Sequence, residues 1–203
     1  MIKLKDTEYV GKGGEKIVYF HPEDKSKLIK VINPDYIKFM KKNRSLTYRL
    51  RRLTHYWFFS NMIIEHIASR EEDIENKRFL QNITGFVDTD MGFGVVVDAV
   101  RKLDGSIGDS LGDIIKQKRY TEKHENALND FLSWMLNVHI IIRDLWLDNL
   151  IWSEENEHFV LVDGIGGRYL PTLRSYWRKY NLRGNKKRAD KLKSRVERFL
   201  ASN

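Results

Sequence analysis

Three oxygen-bearing side chains in the second half of the chain could do chemistry together: Asp144, Asn149 and Asp163. They lie in Ile142-Arg143-Asp144-Leu145-Trp146-Leu147-Asp148-Asn149 and in Leu161-Val162-Asp163-Gly164, five and then fourteen residues apart. Phosphoryl transfer asks a protein for positioning and charge neutralisation. Hard oxygen ligands for Mg²⁺ must therefore face one carboxylate that orients an attacking hydroxyl. The surrounding pattern suits such a site. A helical periodicity precedes it, the apolar run Leu150-Ile151-Trp152 follows, then a turn-like Ser153-Glu154-Glu155-Asn156-Glu157 and a second apolar run, Phe159-Val160-Leu161-Val162. That order predicts helix, loop, strand, turn, strand, then Asp-Gly. The plainer reading makes Asp144 and Asn149 loop caps and Asp163-Gly164 an ordinary turn. Order, spacing and context together argue against it.

Near the N-terminus, Val10-Gly11-Lys12-Gly13-Gly14-Glu15-Lys16-Ile17-Val18-Tyr19 resembles the Gly-rich loop that covers ATP phosphates in protein kinases, Gly-x-Gly-x-x-Gly-x-Val. Gly11 and Gly13 match, Lys16 takes the third glycine's place with Gly14 displaced by two, and Val18 falls where the kinase valine covers adenine. Glycine lets backbone N–H groups approach phosphate oxygens with no Cβ in the way. The apolar strand Leu28-Ile29-Lys30-Val31-Ile32 carries Lys30 where kinases place the lysine that grips the α- and β-phosphates. A solvent-facing strand lysine is the alternative. That lysine needs a carboxylate partner. Residues 36 to 64 contain no Asp or Glu, so Glu65, among apolar neighbours, is the candidate. Glu71, Glu72 and Asp73 read as solvated surface.

The Asp144 segment resembles the kinase Arg-Asp-Leu-x-x-x-Asn loop. The resemblance implies that Asp144 accepts the hydroxyl proton and that Asn149 and Asp163 hold magnesium. More closely, the chain resembles the YrbL family, the PhoP-regulatory-network proteins of Gram-negative bacteria. The segments that carry this include His21-Pro22-Glu23-Asp24, Gly85 through Gly92, Leu103-Asp104-Gly105-Ser106 and Asp163-Gly164-Ile165-Gly166. The family is similar to kinases of lipopolysaccharide core sugars. Two departures from protein kinases are visible: Ile142 stands where a His precedes the Arg, and no Phe separates Asp163 from Gly164.

Length and composition bound the rest. The 203 residues suffice for one globular unit, and 41% hydrophobic content with 12% aromatics fits a folded protein rather than a disordered one. With no cysteine, Cys-ligated zinc and a disulfide frame are excluded. The N-terminus lacks an apolar signal core, so the cytoplasm is the expected compartment. Charge is uneven. Residues 168 to 203 hold twelve Lys/Arg and two acids, a net +10, so the chain's +8 leaves −2 elsewhere.

This tail predicts two helices broken at Gly184-Asn185, with Tyr176, Trp177, Leu192, Val196 and Phe199 covering the domain. Its cations Lys186, Lys187, Arg188 and Lys191 are expected either as solvated surface or as the contact for an anionic membrane at the inner face of the cell. A second basic stretch, Lys38 to Arg52, runs into Tyr56-Trp57-Phe58-Phe59 and reads as a helix with an apolar inner face. Beyond charge there is no nucleic-acid motif.

The expected fold is α+β, kinase-like and bilobal. Residues 1–99 form an N-lobe with a small antiparallel sheet, 100–167 a reduced, mostly helical C-lobe, and 168–203 a basic helical tail. Val97-Asp98-Ala99-Val100 is expected as the hinge, with Asp98 and Val100 beside adenine. The expected cofactors are ATP and Mg²⁺. After Asp163 forty residues remain and there is no Ala-Pro-Glu segment, which favours a small, saccharide or lipid-linked hydroxyl acceptor. A nucleotide-binding pseudokinase and a small protein Ser/Thr kinase are the alternatives.

Overall fold

A computed structural model of the chain describes residues 1–42, 60, 62–64, 66–68, 77–166 and 173–201. The chain divides into two compact units, residues 1–59 with 82–99 and residues 60–81 with 100–203. Each has its own core.

In the first unit, β1 (Tyr9–Lys12), β2 (Lys16–Phe20), β3 (Lys27–Ile32), β4 (Ile83–Thr89) and β5 (Gly92–Asp98) form an antiparallel sheet in the order β1-β2-β3-β5-β4. The strands are rich in Val and Ile, which fit a pleated, half-buried surface. Alternation sends Ile17, Tyr19, Ile29 and Val31 to one face, where they pack with Leu4 and Val96. Lys16, Val18 and Lys30 fall on the other. The β4–β5 turn holds Gly92 at φ +101, a conformation that excludes most side chains.

After β3, Asn33 starts α1 (Pro34–Lys42). Its Oδ1 accepts the Asp35 N–H at 3.0 Å, and Pro34 takes the first helical position, where no N–H is needed. Most of the basic stretch beyond Lys42, its aromatic run and Glu65 lie outside the described residues.

In the second unit, α2 (Leu111–Lys116) begins at a Ser110–Asp113 capping box, and α3 (Glu122–Asn137) buries Leu128, Phe131, Leu132 and Met135. His139 lies past the end of α3. It is half-buried, with a ring nitrogen 3.1 Å from the Arg174 carbonyl. The hairpin β6 (Leu150–Ser153) and β7 (His158–Leu161) follows the 3₁₀ turn Leu147–Asn149. A short α4 (Leu173–Tyr176) leads to α5 (Arg178–Ala201).

Two expectations about this last region are corrected. α5 is one continuous helix of 24 residues, not two. Gly184 is not a break. A Cβ there would come within 3.0–3.3 Å of the Arg174 guanidinium, so the glycine makes room for an arginine lying against the helix. The apolar cover is also different. Ala189, Leu192 and Val196 enter the core, while Tyr176 and Trp177 are 70% and 61% exposed and Phe199 is exposed as well. Among the described residues, no helix is long and apolar enough to cross a membrane.

Candidate phosphoryl-transfer site

The second unit brings Asp144, Asn149 and Asp163 together through the backbone. The Gly164 carbonyl accepts the N–H groups of Arg143 at 2.6 Å and Asp144 at 3.1 Å. Ile142 and Ile165 form an antiparallel bridge, and the Gly166 N–H donates to the Ile141 carbonyl at 2.8 Å. On the other side, Val162 N–H donates to the Asn149 carbonyl at 2.9 Å. The two loops are thus clasped at both ends of the constellation. Gly164 makes this possible. At φ +84, a Cβ on it would lie 2.1 Å from the Asp144 carbonyl oxygen.

Side chains complete the arrangement. Asn149 Nδ2 donates to the Asp144 carbonyl at 3.1 Å, which commits the amide nitrogen inward and makes Oδ1 the atom that Asn149 can offer a cation. Asp163 Oδ1 accepts the Gly164 N–H at 2.6 Å, fixing the carboxylate against its own turn. Among the described residues there is no group of three or more His, Cys, Asp or Glu able to hold a metal. Magnesium does not require one. It commonly takes one or two protein oxygens and completes its shell with phosphates and water. An Asn amide oxygen and one carboxylate fit that pattern.

In the first unit the turn Gly13-Gly14 joins β1 to β2, with Gly13 N–H donating to the Lys16 carbonyl at 2.8 Å. A Cβ added at Gly11 or Gly14 would meet nothing within 4 Å, and at Gly13 only the Lys16 carbonyl at 3.6 Å. Neither left-handed backbone nor internal packing calls for glycine at these three positions. Bare backbone there is compatible with a phosphate approaching from outside. Val18 and Lys30 are directly paired across β2 and β3, and Lys30 is paired with Val95 on β5, so the three share one face of the sheet. Lys30 is buried, at 5% exposure.

Asp98 ends β5, its N–H donating to the Asn82 carbonyl and its carboxylate accepting from Asn82 Nδ2 at 2.9 Å. The Val100 carbonyl, in the second unit, accepts the Gly108 N–H. Glu65 lies outside the described residues.

Some participants were not foreseen from the sequence. Asn33 ties the glycine turn to α1: it donates Nδ2 to the Gly13 carbonyl at 2.9 Å and its own N–H to the Glu15 carbonyl. Its place just before Pro34 was the available signal. Beneath the Asp144 loop, Asn181 and Asn185 are fully buried on α5 and both donate to the Ile140 carbonyl at 2.9 Å. Two asparagines four residues apart on an otherwise buried stripe mark a polar seam. Arg188 is a correction. It is half-buried and donates Nε to the Arg143 carbonyl at 2.8 Å, whereas Lys186, Lys187 and Lys191 are exposed as expected.

The fold is that of the protein kinases, with a five-stranded antiparallel sheet in one unit and a mostly helical second unit. It is similar to a Rad53 structure, residues 1–466 in complex with AMP-PNP, at a TM-score of 0.57 and 15% identity, over 97% of this chain and 47% of that one. The chain therefore spans about half the length of that kinase structure. By sequence it belongs to the family described as PhoP regulatory network protein YrbL, whose pattern matches residues 2–197. The YrbL proteins of Escherichia coli K12 and Shigella flexneri are each 25% identical to it over 186 residues, covering 89% of this chain and 80% of theirs.

Proposed function

We propose that the chain is an ATP- and Mg²⁺-dependent phosphotransferase acting on a hydroxyl of a small, saccharide or lipid-linked molecule. The observation that carries this is the clasp between the Arg143-Asp144 and Asp163-Gly164 backbones, which with the Asn149 amide fixes the three oxygen-bearing residues in one constellation. Magnesium, when bound, supplies charge neutralisation on the phosphate oxygens. The residues act as follows. Asn149 Oδ1 and the Asp163 carboxylate hold the metal. The Asp144 carboxylate takes the proton of the acceptor hydroxyl as the acceptor's oxygen bonds to the γ-phosphorus and the bond from that phosphorus to the β,γ-bridging oxygen breaks, with ADP leaving. Lys30 grips the α- and β-phosphates, and the backbone at Gly11, Gly13 and Gly14 closes over them. A non-protein acceptor is favoured because α4 and α5 follow Asp163 and α5 packs into the core of its own unit.

The runner-up is a pseudokinase that binds nucleotide without turnover. One experiment separates them. Cell extract is incubated with γ-labelled ATP and either the wild-type chain or Asp144→Asn, and the lipid, saccharide and protein fractions are counted. Asp144→Asn should still bind Mg-ATP and lose transfer by about 10² or more. Equal transfer by both removes the role given to Asp144. Binding by both with transfer by neither selects the pseudokinase. Label in the protein fraction selects a protein kinase.

A further inference from the structure

Three arginines donate to backbone carbonyls of the Asp144 loop: Arg174 to Ile142 at 3.2 Å, Arg188 to Arg143 at 2.8 Å and Arg195 to Leu145 at 3.2 Å. Two have further company. Arg174 also donates to Asn181 and Asn185, and Arg195 lies 3.6 Å from the centroid of the Trp146 ring. Arg188 is different. Its other hydrogen bond, from Nη1, goes to the Gly184 carbonyl at 2.9 Å, so both of its bonds end on neutral groups. Among the described residues no carboxylate forms an ion pair with it.

Holding a carbonyl does not require a charge. Asn181 and Asn185 hold the Ile140 carbonyl with neutral amides on the same helix. Arg188 is nevertheless half-buried, and burial pulls its guanidinium below its ordinary pKa, with the charge of Asp144 opposing that effect. A partly desolvated cation without a paired anion is costly. Two of its five N–H donors are committed to carbonyls and three remain. The commitment also fixes the guanidinium plane beside the residue that precedes Asp144.

We infer that Arg188 is an anion-binding residue of the Asp144 site, presenting its remaining N–H donors to phosphate oxygens. This rests on the phosphotransferase reading above. The guanidinium would neutralise charge on a phosphoryl group without itself exchanging a proton, as arginines supplied from elsewhere in the same chain do in other phosphoryl-transfer proteins. The anion is either the γ-phosphoryl of ATP or a phosphate already carried by the acceptor, and the chemistry of recognition is the same.

The test uses the full chain as wild type, Arg188→Gln and Arg188→Lys, each checked for an intact melting transition. Calorimetric titration measures Mg-AMP-PNP, Mg-ADP, and inorganic phosphate in the presence of saturating Mg-ADP. If the γ-phosphoryl is the ligand, Arg188→Gln weakens AMP-PNP by roughly ten- to a hundred-fold and leaves ADP unchanged. If the anion belongs to the acceptor, AMP-PNP holds and phosphate binding alone is lost. In either case Arg188→Lys, which keeps the charge but not both carbonyl bonds, recovers part of the affinity. Equal weakening of ADP and AMP-PNP would mean that the loop itself had been disturbed, and overturns the assignment. So does unchanged affinity for all three probes. If the wild type binds neither nucleotide, the phosphotransferase reading fails first. Inorganic pyrophosphate then decides the anion site: binding lost in Arg188→Gln keeps it, and no difference removes it.

Discussion

The N–H of Asp144 donates to the carbonyl of Gly164 at 3.1 Å, and the α-carbon of Gly164 sits so close that a methyl group there would lie 2.1 Å from the Asp144 carbonyl oxygen. The loop that carries Asp144 and the loop that carries Asp163 are therefore a single object. Gly164→Ala has no cheap accommodation, because the opposing atoms are backbone and φ is +84. The strained dihedral alone costs about 1 kcal/mol. The clash adds to it by forcing the loops apart. We expect a lowered melting temperature and loss of the Mg²⁺-dependent part of nucleotide stabilisation, both read by thermal unfolding. A variant that melts and responds to Mg-ATP like wild type would show that the clasp is not needed.

Asp163→Asn keeps the shape of the turn and removes the charge. ATP should stabilise the wild type weakly alone and clearly with Mg²⁺, since a ligand at free concentration L that binds only the folded state stabilises it by RT ln(1 + L/Kd), which grows as Kd falls. The substitution should abolish the difference between the two conditions while leaving the effect of ATP alone. A wild type unmoved by millimolar ATP and Mg²⁺ would count against any kinase reading.

Asn185 is fully buried, donates to the Met135 and Ile140 carbonyls and accepts from Arg174. Asn185→Leu keeps the size and strands the Met135 carbonyl and one arginine N–H. The Ile140 carbonyl retains Asn181. Unsatisfied buried groups cost about 1–3 kcal/mol each, more for charged ones, so a loss on the order of 2–4 kcal/mol is expected in urea unfolding. A loss under half a kilocalorie, below about 0.5 kcal/mol, would place the seam outside the stabilising core.

His124 gives the stability a pH dependence. Its Nδ1 lies 3.2 Å from the Thr121 N–H and 2.9 Å from the Thr121 hydroxyl at the start of α3, and its ring packs 4.6 Å from that of Trp152. Burial, helped by Lys123 and Arg119, lowers its pKa below the ordinary 6.5. A depressed value means the unfolded chain binds the proton more readily. The contribution is therefore fully present above 6.5 and is lost as pH falls through the folded-state value. Wild type should lose stability on acidification from 6.5 down to the folded-state value more steeply than His124→Gln, by melting temperature against pH. Parallel curves would assign the acid sensitivity to other groups.

The sequence by itself determined the elements around the site and the residue types in it. A strand's side-chain period is two, which puts Val18 and Lys30 on one side once β2 and β3 pair, although the continuous apolar run around Lys30 left open whether that side is buried or solvent-facing. The helix, loop, hairpin and Asp-Gly order from Glu122 to Gly164 was likewise legible, since each element is written in local periodicity and turn chemistry. What only the tertiary structure decided is everything set by contacts distant along the chain. Gly184 looked like a helix break because propensity is local, yet the helix continues, and the glycine answers to Arg174, ten residues away. Arg188 looked like one more surface cation in a basic run. It lies 45 residues from Arg143, and the hydrogen bond between them exists only once α5 has packed Ala189, Leu192 and Val196 into the core. Charge is read from composition, but whether a charge is solvated or committed depends on the burial of its neighbours, and that is a property of the folded chain.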